Sequence, residues 1–276
     1  MFCARIAFCA ALLAAPLLSP ALAAESKPLP WSMQQHAASI DDPHKWPASS
    51  IGKVTVNWGD RFYTSCTGSL VGKRFVLTAA HCLFSNGLVA DPKHVFFVVG
   101  IDKGSWSAHS GVASWETGPG YEPVNSPIGN AGTDWAVLRL TDPMTAKPIP
   151  VAAATADQLA KISTDKSAFQ IGFGAERMYL PSIARDCEIS QHEQRGVFIH
   201  KCLFNHGYSG SPILATLAGA TTIIGVESGY ISGQGVARMG FACSASNFAA
   251  TLEKLAATAT IAAKPAAPAG VGKPKP

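Results

Sequence analysis

From Ile51 onward the chain is written in short apolar runs separated by Gly, Pro, Asn and Asp. The clearest runs are Ile51–Asn57, Arg74–Thr78, His94–Val99, Trp135–Leu140, Ala168–Phe173, Val197–Cys202, Ile213–Thr216 and Thr222–Val226. Runs of this length, bounded by turn residues, read as strands, and a chain made almost wholly of them is all-β, a barrel or a sandwich. The segment Thr141–Ala156 breaks the rhythm with Pro143, Pro148, Pro150 and many alanines, and is placed to link two halves. One helical pattern stands out, Ala245–Ala257, behind Ser244 or Ser246 as N-cap. No stretch repeats another.

The two ends do not follow this pattern. Arg5 is the only charged side chain before Glu25, and an Ala/Leu-rich run from Ile6 to Leu18 follows it, then the small-residue triplet Ala21-Leu22-Ala23. Charge, short apolar region and A-x-A site in that order predict a secretory signal peptide over residues 1–23. The alternative, a membrane anchor, needs an apolar run of roughly 20 residues. Residues 24–50 carry Pro, Trp, Ser and His without periodicity and read as an N-terminal extension or propeptide. Residues 256–276 are mostly Ala, Pro, Gly and Lys and read as a disordered tail. That leaves 51–255 as the folded domain, with lobe one at about 51–150 and lobe two at about 151–255. No other stretch is long and apolar enough for stable membrane association.

Composition narrows the classes. At 276 residues the chain suffices for one two-lobed domain with a substantial core. Its net charge of +4 is modest, and Lys and Arg do not cluster before the extreme C-terminus, so nucleic acid is not an expected partner. Of seven cysteines, Cys3 and Cys9 leave with the signal, and Cys66, Cys82, Cys187, Cys202 and Cys243 remain. An exported chain, secreted or periplasmic, meets an oxidising compartment, so pairs among these five are expected, with at least one left over. No C-x-x-C or paired Cys/His spacing is present, and His36, His44 and His109 are scattered, so no metal or organic cofactor is expected.

Three segments carry chemistry: Cys66–Cys82 (CTGSLVGKRFVLTAAHC), Asp134–Leu140 (DWAVLRL) and Asn205–Pro212 (NHGYSGSP). A serine hydroxyl is a poor nucleophile at neutral pH and needs a neighbouring base; a histidine suits, with its ordinary pKa near 7. A buried carboxylate holds that histidine in one tautomer. The developing oxyanion needs backbone N–H donors, and glycines beside the nucleophile let the chain turn tightly enough to supply them. Gly207 and Gly210 flank Ser209 in this way.

These segments resemble the trypsin/chymotrypsin family of serine peptidases. Thr78-Ala79-Ala80-His81-Cys82 matches its histidine motif, Cys66, Gly68, Ser69 and Leu70 match the piece upstream, Asp134–Leu140 is similar to its aspartate motif, and Gly207–Pro212 is similar to its serine motif. The order His, Asp, Ser also differs from α/β-hydrolases and subtilisins. The resemblance, carried by motifs over roughly Ile51–Leu255, implies two antiparallel six-stranded β-barrels with a short C-terminal helix. It implies Ser209 as nucleophile, His81 as general base and then acid, Asp134 as its orienter, and the N–H groups of Gly207 and Ser209 as oxyanion hole. It also implies a Cys66–Cys82 disulfide. A second disulfide, Cys187–Cys202, is expected, with a pairing of either to Cys243 as the alternative.

One departure matters. Digestive members carry Asp before the nucleophile, which receives a freed N-terminus; here that residue is Tyr208, and no basic residue precedes Ile51-Gly52. In lacking that Asp the chain is similar to bacterial, glutamyl-endopeptidase-like members. By the family's spacing the substrate pocket has Leu203 at its floor and Glu227, Ser228 and Gly229 on its wall, which implies a small or apolar substrate side chain; Glu227 is expected to face outward or bond locally, and His206 to face solvent. The implied function is a secreted, monomeric endopeptidase acting on protein or peptide substrates. The alternatives are a catalytically silent binding module on the same fold and an esterase using the same three residues.

Overall fold

In the computed structural model, residues 37–123, 129–191, 196–233 and 236–262 are described; the signal segment lies outside them. The strands are β1 (Ala38–Ser39), β2 (Ile51–Gly59), β3 (Phe62–Gly72), β4 (Phe75–Thr78), β5 (Phe84–Ser85), β6 (Leu88–Val89), β7 (Val95–Val99), β8 (Ala108–Thr117) and β9 (Ala136–Leu140). After them come β10 (Ala168–Gly172), β11 (Ser182–Cys187), β12 (Ile189–Gln191), β13 (Val197–His200), β14 (Pro212–Leu217), β15 (Ala220–Gly233) and β16 (Val236–Ser244).

Alternation explains the first lobe. In β2, Val54 and Val56 are buried while Lys53 and Thr55, which alternate with them, are not, the period of two that puts one face inward. Six strands close a barrel in the order β2-β3-β4-β9-β8-β7, with β7 returning to β2 in antiparallel register. Leu70, Val76, Phe97, Leu138 and Leu140 fill it.

The second lobe differs in detail from the six-stranded barrel expected. It is an eight-stranded sheet ordered β1-β11-β10-β14-β15-β16-β13-β12. Strands β11 and β12 stand near its opposite ends, yet only Glu188 separates them in the chain. The sheet must therefore curl back on itself, a half-barrel rather than a hydrogen-bonded ring. Its eighth strand, β1, comes from the stretch expected as an extension: Ala38 and Ser39 pair with Ile183 and Ser182. The part of that stretch just before β2 is pinned too, since Trp46 Nε1 and Ser50 Oγ both donate to the Lys147 carbonyl.

Two helices were only partly legible. Ala156–Thr164 is helical, where alanines and prolines upstream suggested only a link. Its signal was a capping box: Thr155 Oγ1 accepts from Gln158 N, and Gln158 Oε1 from Thr155 N. The C-terminal helix runs Ala249–Ala262 after a 3₁₀ turn at Ala245–Asn247, whose Ser244 cap accepts from Ser246 N. It thus reaches into the stretch 256–276 expected as an unstructured tail. Ala and Leu extend a helix readily, and Pro265 is the first residue in the sequence that breaks it. Among the described residues no helix is long and apolar enough to cross a membrane.

The two lobes share packed surface. Ile171, Leu214, Ile223 and Val226 of the second lobe belong to the same buried cluster as the barrel's Leu70 and Leu77. Residues presented from both lobes at their junction are therefore held in fixed relation.

Candidate active site

Strand pairing brings His81 and Asp134 together. Thr78, the last residue of β4, pairs with Ala136, the first of β9. The chain leaving Thr78 turns through Ala80–Leu83, and the chain entering Ala136 brings Asp134 to the same barrel end. Asp134 Oδ1 accepts the His81 backbone N–H at 2.8 Å, and Oδ2 meets His81 Nδ1 at 2.8 Å. The carboxylate is buried, while the His81 side chain keeps 37% of its surface exposed. Burial opposes charge on the imidazole, but the charge and hydrogen bond of Asp134 outweigh it, and the His81 pKa lies above its ordinary 6.5. Nδ1 therefore carries the proton shared with Asp134, and Nε2 is left to accept one.

Ser209 lies in the loop between β13 and β14, pressed against the approach to His81. Thr67 N donates to the Ser209 carbonyl at 2.9 Å. Thr67 neighbours Cys66, which is bonded to Cys82, next to His81. Gly210 has φ +78°, and a Cβ there would fall 2.2 Å from Thr78 Oγ1 and 2.8 Å from Ala79 N. The loop and the histidine segment can approach this closely only with glycine at 210.

The same loop presents two backbone N–H groups. Gly207 has φ +94°, and its neighbour peptides are pinned: the His206 carbonyl accepts from Ala175 N, and the Tyr208 carbonyl from Ser211 N, both at 2.8 Å. In a trans peptide the N–H points opposite the C=O. The Gly207 and Ser209 N–H groups are thus turned away from those partners, and among the described residues neither is given to a protein acceptor.

The expected pocket residues divide. Leu203 is buried, its N–H donating to Gln170 Oε1 at 2.7 Å. Ser228 turns instead to Asp134, donating its hydroxyl to Oδ2. Glu227 neither faces outward nor bonds locally: its side chain is 2% exposed, with Oε2 2.5 Å from Nε2 of the fully buried His200. The pull inward comes from β15, whose Glu227 N and O are bonded to Ser211 O and Gly210 N. Gly229 pairs with Phe241, and beyond it Tyr230 stacks on Phe204, rings 5.6 Å apart. His206 is exposed.

Sequence reading missed Gln170, His200 and the turn at Ala175–Arg177, because each acts across strands and none sits in a local motif. It also missed the cleft beside His81, about 510 Å³ in volume, walled by Phe84, Leu88, Val89 and Tyr121. Cys187 is bonded to Cys202, and Cys243 is a free buried thiol whose pKa burial pushes up to about 12, so it is inert. The sulfurs of Cys66 and Cys82 lie near His81, but bonded to each other they offer no thiolate to a metal.

A two-lobed β protein with a carboxylate-held histidine and a glycine-flanked serine at the lobe junction is the architecture of a chymotrypsin-like serine peptidase. The sequence profile of the Trypsin family matches residues 42–252, and the chain belongs to that family. Among solved structures it is similar to one described as a Glu endopeptidase in complex with MPD, at TM-score 0.62 and 16% identity, over 81% of this chain and 97% of that one. At that identity the likeness is one of fold. No curated protein matched the sequence.

Proposed function

We propose that this chain is an exported serine endopeptidase whose catalytic residues are Ser209, His81 and Asp134. The observation that carries the reading is the two-point grip of Asp134 on His81, on its ring Nδ1 and its backbone N–H, beside a loop whose Gly207 and Ser209 N–H groups are given to no acceptor among the described residues. Ser209 Oγ attacks the scissile carbonyl carbon as its proton passes to His81 Nε2. The Gly207 and Ser209 N–H groups receive the oxyanion, and Asp134 stabilises the imidazolium. His81 then protonates the leaving amine, and water hydrolyses the acyl-enzyme by the same steps in reverse order. Residues 1–23 direct export, and the two disulfides suit the compartment reached.

Buried Leu203 and the Phe204–Tyr230 stack support a small or apolar side chain at the cleaved position. The name of the structural relative, a Glu endopeptidase, is not carried over to this chain, whose Glu227 carboxylate is buried against His200. A cationic side chain would enter apolar surroundings without a facing carboxylate at the floor. Cleavage after Ala, Val or Leu should exceed cleavage after Arg or Lys about 100-fold in a peptide library. Strong cleavage after Arg or Lys would sink this assignment of the pocket.

The reading itself is tested with a fluorophosphonate probe on the purified chain, the modified residue mapped by mass spectrometry. Labelling is expected at Ser209 and lost in Ser209→Ala. Folded protein that takes up no label would point to the silent binding module, and turnover of small esters without peptides to the esterase.

A further inference from the structure

Tyr208, the residue before Ser209, is fully buried, yet its hydroxyl finds a partner: it donates to Glu176 Oε1 at 2.5 Å. The other oxygen of the same carboxylate accepts from Asn205 Nδ2 at 3.3 Å. Glu176 thus holds the serine loop at two residues, 205 and 208, on either side of Gly207. Its neighbour Ala175 holds a third point, the His206 carbonyl, and through that peptide sets the direction of the Gly207 N–H. The 3₁₀ turn Ala175–Arg177 therefore grips the whole segment from which the oxyanion donors come.

The turn is shaped for this. A Cβ on Gly174 would lie 2.3 Å from Glu176 Oε1 and 2.4 Å from Tyr208 Cε2, so only glycine leaves the carboxylate and the ring room to meet. The turn is itself braced. Arg177 Nη1 donates to Ser39 Oγ at 2.7 Å, and Ser39 is held on β11 opposite Ser182. From the first lobe, Lys103 N donates to the Tyr179 carbonyl at 3.1 Å and Lys53 Nζ to the Met178 carbonyl at 3.3 Å.

We infer that Glu176 is a positioning residue for the oxyanion loop, acting through the Tyr208 hydroxyl, in a turn that the β1 segment braces through the Ser39–Arg177 contact. The inference rests on the proposed peptidase reading for its effect on rate, but not for its effect on loop order. Burial and the Glu176 carboxylate both raise the Tyr208 pKa, so the phenol stays protonated as a donor across the working pH range.

The experiment compares full-length wild type, Glu176→Ala, Glu176→Gln, Tyr208→Phe and the Glu176→Ala/Tyr208→Phe double variant. Two readouts are taken: kcat and KM on a small chromogenic substrate, and hydrogen exchange of peptides covering 172–180 and 203–211. Tyr208→Phe keeps the ring, so the core is not emptied. Glu176→Ala and Tyr208→Phe should each lower kcat about 10- to 100-fold with KM within about twofold, less than outright loss of an oxyanion donor. The double variant should be no worse than the worse single one. Glu176→Gln, which keeps an acceptor oxygen, should recover most of the rate. Exchange should quicken in both peptides for Glu176→Ala while β2–β4 peptides stay protected. Unchanged exchange in both peptides overturns the inference, as does a kcat within twofold of wild type in Glu176→Ala. If the wild type turns over no substrate, the peptidase reading fails by itself; faster exchange in both peptides still supports the clamp, and unchanged exchange overturns it.

Discussion

Asp134→Asn will lower kcat by about 10⁴-fold while leaving the protein folded. The expectation follows from the hydrogen bonds counted atom by atom. Asp134 Oδ1 accepts the His81 backbone N–H, and Oδ2 accepts both the His81 Nδ1 proton and the Ser228 hydroxyl. An amide has one oxygen for these three donors. If that oxygen stays with the backbone N–H, the NH₂ faces Nδ1 and can only donate to it. The imidazole proton then moves to Nε2, the nitrogen that must accept from Ser209. The alternative rotamer sets two N–H groups against each other. That clash with the His81 backbone N–H disfavours the one rotamer that would keep the proton on Nδ1, so the base is lost, and neither rotamer removes buried volume.

The pH profile gives an independent check. Catalysis requires neutral His81 in the free protein, and Asp134 holds the His81 pKa above 6.5 against the opposing effect of burial. The acid limb of kcat/KM should therefore lie above 6.5 in the wild type. In Asp134→Asn the charge that raises it is gone, and the limb of the residual activity should move down. A variant that keeps its rate within about tenfold, or an acid limb that does not move, would take Asp134 out of this role.

What the sequence made legible was local. The Thr78–Cys82 and Gly207–Pro212 segments carry their chemistry in consecutive residues, and strands β2, β4, β7, β9 and β10 fell where apolar runs stood, give or take a residue or two. Strand β3 was missed because its middle reads Thr-Ser-Cys-Thr-Gly-Ser, polar residues buried between two neighbours in the barrel. Strand β8 was missed because Ala108–Thr117 mixes Gly, Ser and His. Both are strands by tertiary pairing rather than by pattern. The site divided in the same way. His81, Asp134 and Ser209 sit in motifs, whereas Ser228, Gln170, His200 and Glu176 reach their partners from strands and turns far off in sequence, and pocket spacing alone set Ser228 on a wall rather than on Asp134.

The largest expected effect on stability lies behind the serine loop. His200→Leu should destabilise the protein by about 3 kcal/mol at pH 8, and by only about 1 kcal/mol at pH 5. His200 Nδ1 accepts the Cys202 N–H at 3.2 Å, so its proton sits on Nε2 and faces Glu227 Oε2, 2.5 Å away. Leucine removes the imidazole donor facing Oε2 and leaves a buried carboxylate short of a partner. Burial is the dominant influence on Glu227 and raises its pKa above 4.5, against the pull of His200, His81 and Gln170. A carboxyl whose folded pKa is raised binds more protons folded than unfolded. Its contribution to stability therefore falls as pH climbs from the unfolded value through the folded one. Removing His200 raises the folded value further and widens that window upward, which is why the loss grows toward pH 8. Denaturant titrations of both proteins at pH 5 and pH 8 measure it, and a penalty equal at the two values would show that Glu227 does not titrate in that range. Glu227→Gln gives the complement: it keeps an oxygen for His200 Nε2, removes the charge, and should flatten the pH dependence of stability. Because the Glu227 charge also raises the His81 pKa, the same substitution should lower the acid limb of kcat/KM, tying the buried pair to the base it lies behind.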